Sequence, residues 1–131
     1  MPLKHRSLTC SPGCAVEATL DLIDGKWKGL ILFHLLQGTR RFNELRRLLP
    51  NATQRMLTTQ LREMEMSGII VRTAYPQVPP RVDYSVSELG QSLSPVISTL
   101  KAWADQHIDF TTGVPKMRAL RGGDEGQEIR L

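Results

Sequence analysis

The stretch NATQRMLTTQLREMEMSGIIVR, residues 51–72, predicts a helix whose two faces differ in character. Leu57, Leu61 and Met64 recur at i, i+4 and i+7, which is the spacing of a buried helical stripe. The opposite face carries polar side chains with only one acid: Gln54, Arg55, Thr58, Thr59, Arg62 and Glu65. The stretch therefore indicates an amphipathic helix that packs through its leucines and presents a polar, mostly basic face outward.

Local signals mark where this helix begins and ends, and place a shorter helix before it. Thr53 is suited to an N-cap, and Gly68 stands at the C′ position that commonly closes a helix. The preceding segment RRFNELRRLLP, residues 40–50, offers Asn43 as an N-cap and Pro50 as a terminator. A short basic helix, a tight turn and a longer helix are therefore expected in succession.

The pattern after Gly68 changes from a helical period to β-branched and aromatic runs. IIVRTAY (residues 69–75) and RVDYSVS (residues 81–87) are separated by PQVPP, whose prolines cannot lie in a paired central strand. This predicts a β-hairpin with a rigid tip directly after the longer helix. Such an order is typical of a winged helix-turn-helix, in which the second helix fits the roughly 12 Å width of the DNA major groove. The predicted fold class is α+β, mostly α.

Further helices flank this unit on both sides. Apolar spacing predicts a helix from Ala15 to Ile23, a largely apolar second helix over residues 26–38, and a last helix over residues 87–110 that Pro95 kinks or restarts. Ser87 is suited to the N-cap of that last helix. The expected organisation is an N-terminal arm (1–13), a DNA-binding and dimerisation domain (14–110) and a flexible C-terminal tail (111–131).

Composition restricts the classes of protein to which the chain can belong. At 131 residues with a net charge of +4 and a pI near 9.4, one domain with an anionic partner is favoured, either nucleic acid or a membrane surface. The longest apolar run, residues 30–36, is far short of a membrane span, so a cytoplasmic protein is expected. Paired acids near a histidine, a phosphate-binding glycine loop and a metal signature are all missing from the sequence, so no enzyme, cofactor or metal is predicted.

The polar helix face and the hairpin supply the candidate DNA contacts. Glutamine is suited to adenine edges and arginine to guanine edges or phosphates, whereas an arginine directly after two prolines is suited to a narrow minor groove. Basic residues around the shorter helix can follow phosphates. The candidates are Arg41, Gln54, Arg55, Thr58, Thr59, Arg62 and Arg81. The alternative for each is an ordinary solvated side chain.

Most of the chain, from Cys14 to about Trp103, resembles the HxlR-type transcriptional regulators, a group within the winged-helix, MarR-like class. The resemblance rests on motifs in combination: Cys14 with Glu17, Gly25-Lys26-Trp27, Arg41-Phe42 with Glu44-Leu45, Leu57-Thr58, Leu61-Arg62 with Glu65, Gly68, Arg72, Tyr75, Pro79-Pro80-Arg81-Val82 with Tyr84, and Gly90. It implies a homodimer, more often a repressor than an activator, that presents two winged helices to successive major grooves of double-stranded DNA. Two-fold symmetry then predicts a palindromic, inverted-repeat operator.

The apolar residues of the first and last helices exceed what so small a domain needs for its own core. If they were left uncovered they would form an exposed apolar patch, which a second copy of the chain would cover. The candidate dimerisation residues are Val16, Leu20, Ile23, Val96, Ile97, Leu100 and Trp103. The alternative is that these residues pack against the core of the same chain.

Cys14 begins the first helix, where the helix dipole and unpaired backbone N–H groups favour a reactive thiolate. By resemblance to family members that sense oxidants or electrophiles, Cys14 is a candidate sensor of such an effector, and Cys10 a candidate resolving thiol. The alternative for Cys14 is a structural thiol at the dimer interface. The rival function for the whole chain is a winged-helix module that binds protein or RNA and lacks specific DNA binding.

Overall fold

The stretch that predicts the fold forms a helix followed by a strand. A computed structural model describes residues 12–115 of the chain. The helices are α1 (Cys14–Ile23), α2 (Lys28–Leu36), α3 (Phe42–Leu48), α4 (Gln54–Met66), α5 (Glu88–Ser92) and α6 (Ser94–His107). The strands are β1 (Arg40–Arg41), β2 (Ile70–Tyr75), β3 (Arg81–Val86), β4 (Ile108–Asp109) and β5 (Val114–Pro115). The predicted order of two helices, a hairpin and a further helical segment is confirmed.

The described chain divides into two compact units, one up to Ser94 and one from Pro95 onward. The first holds α1 to α5 and an antiparallel sheet in the order β1-β3-β2. The second holds nearly all of α6, followed by β4 paired with β5. The pairing of β5 extends past residue 110, where the sequence had predicted a flexible tail, because a turn at Gly113 (φ +75°) brings Val114 back to Asp109.

The core of the first unit is formed by the apolar stripes of α2, α3 and α4. Leu57, Leu61 and Met64 of α4 are almost completely buried, as their spacing predicts. They share the core with α2, which is the most apolar helix, and with the first residues after α4. The other fully buried large side chains are Ile31, Leu32, Leu35, Leu45 and Ile69. This burial holds α4 with its polar face outward.

Capping and one ion pair fix the position of α4. The Thr53 side chain accepts a hydrogen bond from the Met56 backbone N–H at 3.1 Å, which confirms the predicted N-cap. Gly68 has φ +83°, the left-handed conformation predicted for the residue that closes this helix. The Lys28 ammonium group contacts the Glu63 carboxylate at 2.8 Å, which joins α2 to the middle of α4. Helix α4 is therefore held at both ends and along its inner side.

The hairpin β2–β3 and its loop, residues 76–80, form the wing. Register pairs Arg72 with Tyr84 and Tyr75 with Arg81. The two-residue strand β1 pairs with β3 on its other edge, so that Arg40 lies opposite Tyr84 and Arg41 opposite Asp83. This third strand was not predicted, because two residues are too few for a sequence period to identify them.

The N-cap predicted for α3 was wrong, whereas of the two outcomes predicted at Pro95, a kink or a restart, the structure shows the restart. The N-cap of α3 is Arg41, whose backbone N–H donates to the Glu44 carboxylate at 2.8 Å, whereas Asn43 lies inside the helix. The terminal helical segment is two helices, because α5 ends at Ser92 and α6 restarts before Pro95, where proline is tolerated in a first turn. Ser87 caps α5 as predicted, since its hydroxyl accepts the Gly90 N–H at 3.0 Å.

Gly90 explains why α5 can lie directly against the end of the hairpin. A Cβ atom at this position would overlap the backbone carbonyl oxygen of Ile69. Glycine is therefore required here for close approach of a helix to a backbone, not for an unusual φ angle.

Candidate nucleic-acid interface

The outer face of α4 is exposed along its length, as the sequence predicts. Gln54, Arg55, Thr58, Thr59 and Arg62 are all solvent-exposed, while the leucine stripe on the other side is buried. Within residues 12–115, the guanidinium groups of Arg55 and Arg62 make no hydrogen bond or ion pair. Two arginines without an intramolecular partner are thus presented by the helix that a winged fold inserts into the major groove.

Thr58 differs from its neighbours on this face. Its hydroxyl donates to the Gln54 carbonyl oxygen, one turn earlier, at 2.8 Å. The only proton of the hydroxyl is therefore used inside the helix, which leaves Thr58 an acceptor lone pair and a methyl group for an external partner. A methyl group is suited to the thymine C5-methyl in the major groove.

Arg81 begins β3, and the structure places its guanidinium against the hairpin itself. Its Nε and Nη2 atoms donate to the two carboxylate oxygens of Asp83 at 3.0 and 2.9 Å. On the other side the guanidinium lies 4.9 Å from the ring centroid of Tyr75, its cross-strand neighbour. Arg81 is therefore half-buried and is held in one orientation by contacts within the hairpin.

The electrostatics of this pair follow from the bidentate geometry. The hydrogen bond from Arg81 lowers the pKa of Asp83 below its ordinary value, and the charge of Arg41 acts in the same direction. The hydrogen bond to Asp83 raises the pKa of Arg81, which is already charged at every physiological pH. Asp83 is the buried acid of the described chain, so its charge is compensated by arginines on two adjacent strands.

Two cavities lie beside the wing, and one of them also borders α4. One, of about 340 Å³, is lined by Thr58, Arg62 and Glu65 of α4. The other, of about 510 Å³, is lined by residues at the start of α3 and by the wing, among them Arg41 and Arg81. Arg72 and Tyr84 line both cavities. Neither residue was predicted to belong to the site; the signal for them is the alternation along β2 and β3, which puts the two on one face of the sheet.

A third basic concavity, of about 520 Å³, lies at α3 and the turn that follows it. It is lined by Asn43, Arg46, Arg47, Pro50 and Ala52. Both arginines are exposed, as is Arg41 at the other end of α3. The arginines that were predicted to follow phosphates are therefore available to solvent.

The candidate dimerisation residues divide into exposed and buried groups. On α1, Val16 is 64% and Leu20 49% exposed, whereas Ile23 is 8% exposed and belongs to the chain's own core. On α6, Leu100 and Trp103 are at least half exposed, Val96 is partly exposed, and Ile97 is buried. Ile23 and Ile97 are thus already removed from water within one chain, which leaves the exposed residues of the set as the available apolar surface.

Cys14 is the first residue of α1 and is half-buried. It is not a free thiol in this structure but disulfide-bonded. Cys10, the other predicted redox residue, lies outside the described residues. Across residues 12–115, no helix has both the length and the apolar character needed to cross a bilayer.

Comparison with known proteins agrees with the arrangement of helices and wing. The family model of the HxlR-like helix-turn-helix matches residues 22–112. The HTH-type transcriptional regulator YdeP of Bacillus subtilis is 51% identical over 113 residues, which cover 86% of each chain. YybR, an HTH-type transcriptional regulator of the same organism, is 53% identical over 97 residues, covering 74% of this chain and 78% of YybR.

Solved structures show the same fold. The redox regulator HypR in its oxidised form has a TM-score of 0.70 and 52% identity, covering 73% of this chain and 99% of HypR. The reduced form of the transcriptional regulator YodB from B. subtilis has a TM-score of 0.64 and 35% identity, covering 75% of this chain and 94% of YodB. With the family model spanning most of the chain and relatives at this identity, the protein belongs to the HxlR-like helix-turn-helix family and is a winged-helix transcriptional regulator, not an enzyme.

Proposed function

We propose that the protein binds an inverted-repeat operator as a homodimer and represses transcription, with oxidation or alkylation of Cys14 as its signal. The observation that carries the DNA-binding part is the outer face of α4, where Arg55 and Arg62 are exposed and have no partner within the described chain. The N–H donors of these two exposed arginines are available to an external partner, and bases and phosphates are acceptors that match them.

The proposed contacts differ along α4. Gln54 and Arg55 lie in the first turn, which enters the major groove first and reads base edges. Thr58 and Thr59 follow, with the Thr58 methyl group directed to an apolar base contact because its hydroxyl proton is already used. Arg62 lies one turn further and contacts the backbone. Arg41 and Arg81 contact phosphates beside the groove that α4 enters.

The proposed dimer rests on apolar side chains that are exposed in one chain. Val16 and Leu20 lie on the same face of α1 at i and i+4, and Leu100 and Trp103 lie at i and i+3 on α6. Each pair exposes an apolar surface that a second copy of the chain would cover, and a two-fold axis would then relate two α4 helices. Repression would follow where the operator overlaps the promoter, since the bound dimer excludes polymerase.

The proposed signal is supported by similarity to HypR and YodB, regulators solved in oxidised and reduced forms or after diamide treatment. In the oxidative route two thiols lose two electrons and two protons to an oxidant such as diamide, which becomes a hydrazine, and one S–S bond forms. The chain has two cysteines, so the partner of Cys14 is Cys10 or a cysteine of the other subunit. In the alkylation route the Cys14 thiolate adds to a quinone and forms an S–C bond.

The test is binding of purified protein to tiled duplexes from the region upstream of its own gene. Binding is measured under reducing conditions and after diamide or benzoquinone, for wild type and for Cys14→Ser. We expect both proteins to bind a palindromic site under reducing conditions. After diamide or benzoquinone, the wild type should dissociate from it, whereas Cys14→Ser should stay bound. Retention of the wild type in all conditions would overturn the thiol signal alone.

Absence of a specific site would overturn the operator proposal and would favour a module that binds protein or RNA. Sedimentation of the wild type beside Trp103→Glu and Leu100→Glu tests the dimer separately. A single sedimenting species of monomer mass for the wild type would overturn that part.

A further inference from the structure

Arg72 is an exposed cation of β2 that has no partner among the residues that the structure describes. Its side chain makes no hydrogen bond, ion pair or ring contact within residues 12–115. It lies directly opposite Tyr84 in the β2–β3 register, so the two side chains share one face of the sheet. Tyr84 is buried, and it therefore provides a fixed wall beside a guanidinium that is otherwise free to meet an external group.

The position of Arg72 distinguishes it from the other arginines of the surface. It lines the cavity bounded by Arg62 of α4 and also the cavity bounded by Arg81 and Gln77 of the wing. Arg72 and Tyr84 are the two residues that line both of these cavities. Arg72 thus lines one cavity on the side of α4 and one on the side of α3 and the wing loop.

The shape of B-DNA determines what would pass between α4 and the wing. When α4 occupies a major groove and the wing meets the adjacent minor groove, one sugar-phosphate strand separates those two grooves. That strand must run between α4 and the wing. A phosphodiester oxygen there meets arginines from both sides, and a guanidinium matches its oxygens with two parallel N–H donors.

We propose that Arg72, with Arg62 and Arg41 beside it, binds the backbone phosphate of DNA that runs between α4 and the wing. This inference rests on the proposed DNA binding and adds a residue that holds the two reading elements at a set spacing on the duplex. The bound chemistry is a phosphodiester, so Arg72 contributes equally to every base sequence.

Glu65 lines the cavity on the α4 side and Asp83 lies next to Tyr84 in β3, so the state of both acids bears on where the phosphate lies. Asp83 already receives both of its hydrogen bonds from Arg81, which neutralises it. Glu65 lines the α4 side and has no ion-pair partner within the described chain, and it would repel a phosphate placed next to it. The phosphate is therefore expected nearer Arg62, one turn before Glu65.

The test is fluorescence anisotropy with a labelled duplex from the protein's own upstream region and a scrambled duplex of the same composition, each titrated with salt. For Arg72→Ala we expect a loss of about tenfold or more in affinity for both duplexes. We also expect the slope of log K against log salt concentration to decrease by about 1 for each protomer bound. Arg72→Lys should restore the slope but only part of the affinity.

A charge-matched control and a modified duplex separate contact from folding. Lys101→Ala removes one positive charge from α6 and should leave affinity and slope unchanged. A neutral methylphosphonate at the phosphate that Arg72 contacts should weaken wild-type binding and should not further weaken Arg72→Ala. Thermal melts of each variant check that the fold is intact.

The outcomes distinguish this inference from the function on which it depends. If Arg72→Ala is folded and binds both duplexes with the affinity and salt slope of the wild type, the phosphate contact is overturned and the regulator proposal stays intact. A loss confined to the upstream duplex would also overturn it, because that pattern is base reading. Failure of the wild type to bind either duplex would overturn both.

Discussion

The arginines of α4 and the arginine of the wing belong to one surface but are held in different ways. Arg55 and Arg62 are exposed and make no hydrogen bond or ion pair among the described residues. Arg81 donates two hydrogen bonds to Asp83 and lies against the Tyr75 ring. The α4 arginines thus keep the freedom to adjust, Arg55 to a base edge and Arg62 to the DNA backbone, and they lose rotamer entropy only on binding, whereas Arg81 has lost most of its freedom on folding.

This difference assigns different tasks to the two regions. A side chain that reads sequence by hydrogen bonds needs donors that are still unused, such as the two N–H groups with which an arginine contacts guanine. A side chain that sets the position of the wing needs only its orientation and charge. The comparison predicts that α4 controls which sequence is bound, and that the wing controls how tightly any sequence is bound.

The largest effect on stability is expected when one residue on the buried face of α4 and one on its exposed face are each replaced by alanine. Leu61→Ala should lower the free energy of unfolding by about 2–5 kcal/mol, because a fully buried side chain is replaced by a cavity. Arg62→Ala is the matched change at the next residue. It should leave the free energy of unfolding within about 0.5 kcal/mol of the wild-type value and should weaken DNA binding instead. Urea unfolding and anisotropy on both variants check this. A destabilised Arg62→Ala would show that the outer face of α4 is structural.

A smaller effect is expected at the wing from Asp83→Asn, which keeps the shape of the side chain but removes its charge. The released Arg81 side chain would have to be ordered again when DNA binds. We therefore expect affinity for all duplexes to fall by roughly two- to tenfold, which corresponds to the conformational entropy of one long side chain. The affinities of wild type and Asp83→Asn, measured on specific and scrambled duplexes, give the fold-change for each duplex. Unchanged affinity would mean that Arg81 stabilises the hairpin and does not contact DNA.

The same variant carries a pH prediction. The pKa of Asp83 is lowered on folding, so its contribution to stability is fully present above the ordinary carboxyl value near 4 and is lost as pH falls through its folded pKa. The stability difference between wild type and Asp83→Asn should be constant from about pH 5 to 7 and should shrink below about pH 4. Thermal melts across this range measure it, and a difference that grows at low pH would contradict the assignment.

The smallest effect is expected at the start of the recognition helix. Thr53→Ala removes the acceptor for the Met56 N–H and should cost about 1 kcal/mol of stability, with local fraying of the turn that carries Gln54 and Arg55. Thr59→Ala, an exposed change inside the same helix, is the control and should not destabilise. Hydrogen exchange of the first α4 amides reports the fraying directly; equal protection in both variants would show that packing alone holds this turn.

Local chemistry explains which parts of the fold were predictable. The α4 stripe, its Thr53 cap, the Gly68 stop and the hairpin each depend on residues within a few positions of one another, so their signals lie in contiguous sequence. The N-cap of α3 was predicted at Asn43 because asparagine favours that position, but the pairing of β1 with β3 places Arg41 there instead. A contact distant in sequence outweighed a local preference.

The exposed face of α4 was determined by the sequence itself, because a period of 3.6 residues puts Gln54, Arg55 and Arg62 opposite the leucines whatever else the chain does. The tertiary structure decided the states of the other cations. It set Arg81, which already has a carboxylate two residues along its own strand, against the Tyr75 ring of the paired strand, and it left Arg72 without a partner among the described residues. It also buried Ile23 and Ile97 while it left Val16 and Trp103 exposed, since which apolar residues lose water depends on three-dimensional packing that no sequence period encodes.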